Sequence, residues 1–186
     1  RALIISGNFD NKNMYNETTG VVTSDKKIEN LSTSMLFQNV DAVYLGGYMQ
    51  SLITQTFGKL DLSGSPSDLS SDQGTSGART DGSFSKTYLQ FLRIQRIVER
   101  LDMQILASMQ LASQNLDSSE KFTLGGIGGI RAFPSGEASG DEGRKISFDL
   151  KYKPSNSFVD LFDEIQFGVF YDYGNIKQYK DLLNIS

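Results

Sequence analysis

Residues 145–153 read KISFDLKYK, and apolar and polar side chains alternate along them without an exception. The apolar positions are Ile146, Phe148, Leu150 and Tyr152, and the polar positions are Lys145, Ser147, Asp149, Lys151 and Lys153. Successive side chains of a β-strand point to opposite faces, so a period of two predicts a strand with one apolar and one polar face. This stretch predicts part of an amphipathic sheet.

The same alternation recurs on both sides of this stretch. It is regular at residues 103–111 and 165–173, weaker at 3–9, 31–37 and 43–57, and mixed at 86–98. The Leu, Arg and Gln content of residues 92–111 also suits a helix, but the alternation after Leu101 favours a strand. About seven strands and little helix are therefore predicted, which makes the chain all-β.

The connections between the predicted strands alternate in length. Residues 11–26, 63–83 and 116–144 form long connections, and residues 40–42, 99–100 and 154–160 form shorter ones. Extended extracellular loops and tight periplasmic turns give this alternation in antiparallel outer-membrane β-barrels, whose strands are apolar outward and polar inward. A soluble β-sandwich or β-helix shares the strand alternation and the Gly/Ser-rich loops. The strand pattern alone leaves both architectures open.

The connection at residues 63–83 is low in complexity and rich in Ser, Asp and Gly. A role in contacting a substrate is one interpretation. A mobile extracellular loop is the favoured one, because this composition cannot bury a core. Its acidic residues do not have the spacing of an EF-hand, so no calcium site is predicted.

The composition excludes several classes of function. Lys and Arg number 18 against 22 Asp and Glu, which gives a net charge of −4 and argues against a nucleic-acid partner. The chain has no histidine and no cysteine, which excludes zinc and iron–sulfur sites, thiol nucleophiles and Ser-His-Asp triads. Residues 125–129 lack the Lys-Ser/Thr of a phosphate-binding loop. We therefore expect no enzyme, no cofactor, no metal and no small-molecule substrate.

Residues 115–143 carry the most specific motif and read NLDSSEKFTLGGIGGIRAFPSGEASGDEG. The run resembles the signature of the TpsB transporters of two-partner secretion, which export haemolysins, filamentous adhesins and contact-dependent toxins. The matching pieces occur in order at residues 116–122, 124–126, 130–133 and 136–141, with flanking matches at 58–62 and 170–174. Two departures are Ala132, where glycine is frequent, and residues 127–129, where a proline often follows the glycine pair.

The resemblance implies a fold and a location. The family barrel is sixteen-stranded and follows two periplasmic POTRA domains, and residues 1–186 would form about its seventh to thirteenth strands. The chain opens on Arg1 without an initiator Met, a signal peptide or a POTRA-like pattern, so we interpret it as an internal piece of the barrel domain. The glycine-rich loop at about residues 116–144 would fold into the lumen, and the protein would lie in the lipid of the bacterial outer membrane.

The resemblance also implies a function. The protein would be a pore that translocates a large unfolded TpsA-type exoprotein across the outer membrane without ATP. Two alternatives stay open: an assembly insertase of the same superfamily, and a soluble β-rich adhesin or binding domain. A metal-free hydrolase lacks any arrangement of nucleophile and base in the sequence.

A pairing of Arg131 with Asp172 is the sharpest prediction within the motif. Strand alternation puts Asp172 on the polar face, and Arg131 is the only cation between Lys121 and Arg144. A guanidinium binds a carboxylate through two parallel hydrogen bonds, so the pair would hold the loop against the wall, with Phe133 packed at the tip. The alternatives are a solvated Arg131, a water-facing Asp172, or a lysine partner for Asp172 from Lys151 or Lys153.

The remaining predicted site residues lie within the motif at residues 115–143 and within its flanking match at residues 170–174. Glu137 and Asp141 are interpreted as loop-ordering or solvated groups and not as catalytic ones. The loop residues are Phe122, Leu124, Gly125, Gly126, Ile130, Ala132, Phe133, Gly136, Glu137, Gly140 and Asp141, and the wall residues are Phe170 and Gly174.

Overall fold

A computed structural model describes residues 1–126, 128–131, 133–134, 137–154 and 165–181. Its strands are β1 (Ala2–Thr18), β2 (Val21–Asp41), β3 (Gly47–Asp61), β4 (Gly82–Val98), β5 (Leu101–Ala112), β6 (Phe122–Thr123), β7 (Ser139–Gly140), β8 (Glu142–Tyr152) and β9 (Phe167–Lys177). Seven of them form one antiparallel sheet in the order β1-β2-β3-β4-β5-β8-β9, and β6 pairs with β7. The all-β prediction is confirmed, and the sheet is consistent with part of a β-barrel.

The predicted polar loop at residues 11–26 is wrong. β1 and β2 continue through this segment as one long hairpin, with Asp10 opposite Asn30 and Met14 opposite Lys26. The chain reverses at Thr19 and Gly20, both with positive φ. Backbone hydrogen bonds between strands do not require apolar side chains, so a strand can continue past the apolar stretch that makes it visible in the sequence.

The expectation of a mobile loop at residues 63–83 is also wrong, because the segment is folded. It contains the helix α1 (Pro66–Gln73), whose N-cap Ser65 accepts a hydrogen bond from the backbone N–H of Asp68. Buried Asp72 accepts hydrogen bonds from the backbone N–H and the hydroxyl of Thr80, at 2.8 Å and 2.7 Å. These local polar contacts order the segment without the apolar core that its composition could not supply.

The sheet has two faces of different character. The loop between β5 and β8 lies on the face that we call the loop face, from which Asn30, Lys86, Gln110, Asp149 and Asp172 project. The opposite face, which we call the open face, exposes large apolar side chains from every strand of the sheet: Leu3, Ile5, Phe9, Leu31, Met35, Ile53, Phe57, Phe91, Leu111, Ile146, Val169, Tyr171 and Tyr173. So large an uncovered apolar face indicates an apolar environment or partner. The described residues include no helix long and apolar enough to cross a membrane.

The buried core lies on the loop face and includes the loop itself. One cluster joins strand residues to Leu116 of the loop, and its members are Ile28, Leu60, Leu62, Phe84, Ala112 and Leu116. A second cluster consists of the loop residues Phe122, Leu124 and Ile130, packed against Tyr88, Ala138 and Ile176. The loop is therefore part of the core of the described structure.

Candidate functional site

The loop between β5 and β8 crosses the loop face in two parts. We call residues 115–122 the base and residues 124–134 the tip. The short strand β6, where the base meets the tip, pairs with β7. The tip folds back on itself through a hydrogen bond from the backbone N–H of Ile130 to the carbonyl of Leu124, at 2.8 Å. Glu120 in the base and Arg131 in the tip contact different strands of the sheet.

At the tip, Arg131 contacts Asp172 of β9 through three hydrogen bonds. The backbone N–H and Nε both donate to Asp172 Oδ2 at 3.1 Å, and Nη2 donates to Oδ1 at 3.1 Å. Of the cations considered for Asp172, Arg131 is the one that the structure shows paired with this carboxylate. The structure thus brings together the two residues that the sequence analysis paired.

Asp149 of β8 is a second carboxylate in contact with Arg131. Nη1 donates to Asp149 Oδ1 at 2.9 Å and Nη2 donates to Oδ2 at 3.0 Å, which is the parallel two-bond geometry that guanidinium forms with carboxylates. Arg131 also stacks on Phe170, with its Cζ 3.9 Å from the ring centroid. Hydrogen bonding to Asp149, outweighing the opposing effect of burial and aided by Asp172, raises the pKa of the Arg131 guanidinium above its ordinary value.

Asp149 was not among the site residues predicted from the sequence, although a signal for it was present. Asp149 stands on the polar face of the most regular predicted strand, next in order to the strand of Asp172. The missing information was the register, which places Asp149 opposite Phe170 and Ser147 opposite Asp172. Two carboxylates one row apart on neighbouring strands can share one arginine, and only the register shows it.

Gly174 of β9, in the wall formed by the loop face of the sheet, leaves room for the tip because it has no side chain. A Cβ added to Gly174 would overlap Cδ1 of Ile130 and lie 2.8 Å from Cδ2 of Leu124. Gly143 has the same relation to the ring of Phe122, since its added Cβ would lie 2.5 Å from Cδ1 of that ring. The buried apolar side chains of the loop therefore lie against glycines of the wall.

At the base, Glu120 binds strands on the other side of the sheet. Its Oε1 accepts from Lys12 of β1 at 3.1 Å and from Asn30 of β2 at 3.0 Å, and its Oε2 pairs with Lys86 of β4 at 2.8 Å. Its backbone carbonyl accepts from Lys86 at 2.9 Å and from Gln110 of β5 at 3.1 Å. Five contacts thus converge on one residue of the base.

The environment of Glu120 keeps it ionised. Its side chain is only 4% exposed, and burial alone would raise the pKa of the carboxyl. Hydrogen bonds and charge interactions with Lys86, together with Lys12 and Asn30, outweigh burial and hold that pKa below its ordinary value. A buried carboxylate with several donors is the arrangement that makes burial of a charge tolerable.

Two further carboxylates hold the base. Asp117 caps the short 3₁₀ helix Ser118–Glu120 by accepting from the backbone N–H of Ser119 at 3.0 Å, and it pairs with Lys26 of β2 at 2.9 Å. Asp141, at the other end of the loop, is fully buried and pairs with Lys121 at 2.7 Å. It also accepts from the backbone N–H of Leu116 at 3.2 Å, so it ties the two limbs of the loop together.

Comparison with known proteins places this architecture in a family. The family model of the haemolysin secretion/activation protein ShlB/FhaC/HecB matches residues 17–183. The chain belongs to the ShlB/FhaC/HecB family. The family resemblance read from residues 115–143 is confirmed by this match.

Curated relatives of the ShlB/FhaC/HecB chain are similar over a shorter stretch. The chain is 38% identical over 74 residues to the heme/hemopexin transporter protein HuxB of Haemophilus influenzae strain Rd, and the same figures hold for HuxB of strain 86-028NP. The alignment covers 39% of this chain and 12% of the relative, so it spans about an eighth of the relative's length. No solved structure matches the chain.

The other predicted motif residues of this ShlB/FhaC/HecB chain occupy different environments. Phe133 was expected to pack at the tip but is 39% exposed, and it lines a cavity of about 560 Å³ together with Arg131 and Asp149. Asp141 orders the loop, as one of its two interpretations held, whereas Glu137 is exposed. Ala132 and Gly136 lie outside the described residues. The remaining loop residues either pack in the core or shape the fold of the loop: Phe122, Leu124, Gly125, Gly126, Ile130 and Gly140.

The two anchors of this ShlB/FhaC/HecB chain differ in how well water reaches them. The Arg131 side chain is 41% exposed, although its partner Asp172 is nearly buried, whereas Glu120 is 4% exposed. Each anchor joins a nearly buried carboxylate to a half-exposed cation, since Asp172 is 6% exposed beside Arg131 and Glu120 is 4% exposed beside Lys12 at 45%, but Glu120 also pairs with Lys86, which is only 17% exposed. The base is therefore the firmer of the two attachments.

Proposed function

We propose that this chain forms part of the barrel domain of an outer-membrane pore that translocates a large unfolded partner exoprotein without ATP, with the Arg131 loop held in the lumen by Asp172. Membership of the haemolysin secretion/activation family supports the class of function. The observation that carries the finer proposal is the set of five hydrogen bonds from Arg131 to Asp149 and Asp172.

The two faces of the sheet suit this function. The open face would contact outer-membrane lipid, because its large apolar side chains are exposed along every strand. The loop face would line the lumen and meet the exported polypeptide. Its half-buried hydroxyl pair, Ser34 with Thr54 at 2.8 Å, offers hydrogen bonds to an extended chain without binding it by charge.

The loop stands in the path of such a polypeptide, so its contacts would control passage. Release of Arg131 from Asp149 and Asp172 would free the tip from β8 and β9 and widen the lumen on that side. Release would cost free energy, because the guanidinium regains hydrogen bonds to water but the nearly buried Asp172 loses its partner. An unfolded exoprotein entering the lumen could supply it by competing for the same space. The protein has no catalytic role in this proposal.

The experiment compares the variants Arg131→Ala and Asp172→Ala with the unmodified protein. We expect both to reduce the amount of exoprotein in the medium while the amount of the protein in the outer membrane stays the same. Arg96→Ala is the matched control, since the Arg96–Asp102 pair at 3.4 Å is exposed and remote from the loop. Normal secretion by either Arg131→Ala or Asp172→Ala would refute the role of the pair.

A further inference from the structure

Glu120 ties the base of the loop to strands β1, β2 and β4, while the tip is tied to β8 and β9. We propose that Glu120 is a positioning residue that keeps the base fixed while the tip swings between a docked and a released position. The inference deepens the proposed function, on which it rests for the purpose of the movement. It assigns the loop a fixed end and a moving end.

The contacts of Glu120 make it the fixed end. Three donors from three different strands converge on its carboxylate, and Lys86 and Gln110 hold its backbone carbonyl as well. The carboxylate is closed off from water, so loss of its donors would leave a buried charge without a partner. Release of the base would require several such contacts to be lost at once.

The packing around the base also indicates that the base is the fixed end of the loop. Leu116 lies in the main apolar cluster with Ile28, Leu60 and Ala112. Asp117 holds Lys26, and Asp141 holds the backbone N–H of Leu116. A swing of the base would therefore open the core of the sheet as well as its ion pairs.

The tip is built differently. Its polar attachment depends on Arg131, which solvent reaches, and its apolar attachment is the contact of Ile130 and Leu124 with the wall at Gly174. Gly126 and Gly128 have φ of +92° and +70°, a conformation that glycine adopts and leaves more easily than other residues. The tip can thus undock through a small number of backbone rotations while β6 and β7 remain paired.

Two engineered cysteines can report on the two ends separately, because the chain has no cysteine of its own. Ile130→Cys reports on the tip, since Ile130 is buried against Gly174. Ala112→Cys reports on the base, since Ala112 is buried beside Leu116 and opposite Lys86. The rate of reaction with a membrane-impermeant maleimide is measured in intact cells that carry the protein in the outer membrane.

Arg131→Ala should raise the reaction rate of Ile130→Cys about tenfold and leave that of Ala112→Cys unchanged. Glu120→Gln should raise both rates, because a base that is no longer held on the sheet also lets the tip shift away from its contacts with β8 and β9. Lys12→Gln is a milder change, since Lys12 is half-exposed, and it should raise the Ala112→Cys rate with the protein still inserted. Glu29→Gln is the matched control and should change neither rate, because Glu29 pairs only with the exposed Lys27 among the described residues.

Equal exposure of both cysteines in Arg131→Ala would overturn the proposal, since the loop would then leave as one unit. Protection of Ala112→Cys in both Glu120→Gln and Lys12→Gln would overturn it as well. Secretion is measured in the same cells. If Arg131→Ala secretes normally but exposes only the tip cysteine, the proposed gating function fails and the positioning role of Glu120 stands.

Discussion

The chemistry of the tip depends on one residue, Arg131, which satisfies two carboxylates and an aromatic ring at once. A lysine in its place would keep the charge, but its ammonium could not form parallel pairs of hydrogen bonds with Asp149 and Asp172 or stack on Phe170. The planar fork of donors is therefore the property that the site uses. The sequence motif identifies the arginine, and the two carboxylates and the aromatic ring that it contacts explain why an arginine is needed at this position.

A substitution at Gly174 tests the fit between the tip and the wall. We expect Gly174→Ala to undock the tip, because the added Cβ would overlap the side chain of Ile130 at a cost of about 1–3 kcal/mol. Faster hydrogen exchange of the Arg131 backbone amide, which donates to Asp172 in the docked tip, and reduced secretion would show this. Gly168→Ala is the control on the same face of β9, since its Cβ would be 3.7 Å from the carbonyl of Leu150, an ordinary contact. Equal behaviour of the two variants would contradict the prediction.

Among the elements, the segment between β3 and β4 shows how a sequence of low complexity can fold. Ser65 caps α1, Leu69 packs against the main apolar cluster, and Asp68 accepts from the hydroxyl of Ser24 at 2.7 Å. Each contact is modest, and together they replace the apolar residues that the segment lacks. The order of this segment comes from side chains that bind backbone groups.

Asp72 is the residue on which the order of this element depends most. Asp72→Ala would leave the backbone N–H groups of Thr80 and Asp81 without their acceptor, which costs about 1–3 kcal/mol. We expect faster cleavage of residues 63–82 by a protease added to intact cells. Ser70→Ala, which removes an exposed hydroxyl from the same helix, should cleave at the original rate. An unchanged rate for Asp72→Ala would show that other contacts hold the segment.

At the scale of the whole molecule, the loop connects strands that are distant in the sheet. Glu120 binds Lys12 near one edge of the described sheet, and Arg131 binds Asp172 at the other edge. The ten residues between Glu120 and Arg131 thus join the two halves of the loop face, and the charges of the base carry much of that connection. Because these charges belong to carboxylates, the connection depends on pH.

The lowered pKa of Glu120 sets the direction of that dependence. Its ordinary value is 4.5, and the folded value is lower, so its contribution is complete above 4.5 and is lost as the pH falls through the folded value. Asp117 behaves in the same way, because Lys26 and Ser119 outweigh the effect of burial and lower its pKa. We expect the amides of residues 115–122 to lose hydrogen-exchange protection on acidification, after correction for the intrinsic rate.

Glu120→Gln is the control for this pH dependence. The amide cannot titrate, so the variant should have weaker protection at neutral pH and a smaller change on acidification. Residues of the central strands, such as Ser34 and Thr54, should keep their protection over the same range because hydroxyl groups mediate their side-chain contact. An identical pH profile for the variant and the unmodified protein would assign the dependence to other groups.

The sequence by itself determined the strands, the family and the residues of the tip pair. Strand alternation is a local property with a period of two, and the loop motif is a continuous run, so both can be read without knowledge of distant contacts. The polar strand ends and the ordered segment at residues 63–83 were not predicted from the sequence, because their order comes from backbone pairing and from side chains that bind backbone groups.

Only the tertiary structure decided how the loop is held. Asp149 joins the site through the register of β8 with β9, and Glu120 is buried by lysines and an amide that lie as many as 108 residues away. Such contacts leave no periodic trace in the sequence, because each depends on which strands the sheet brings side by side. The motif predicted the contact that holds the tip of the loop, and the structure shows that the base of the loop is held on the sheet as well.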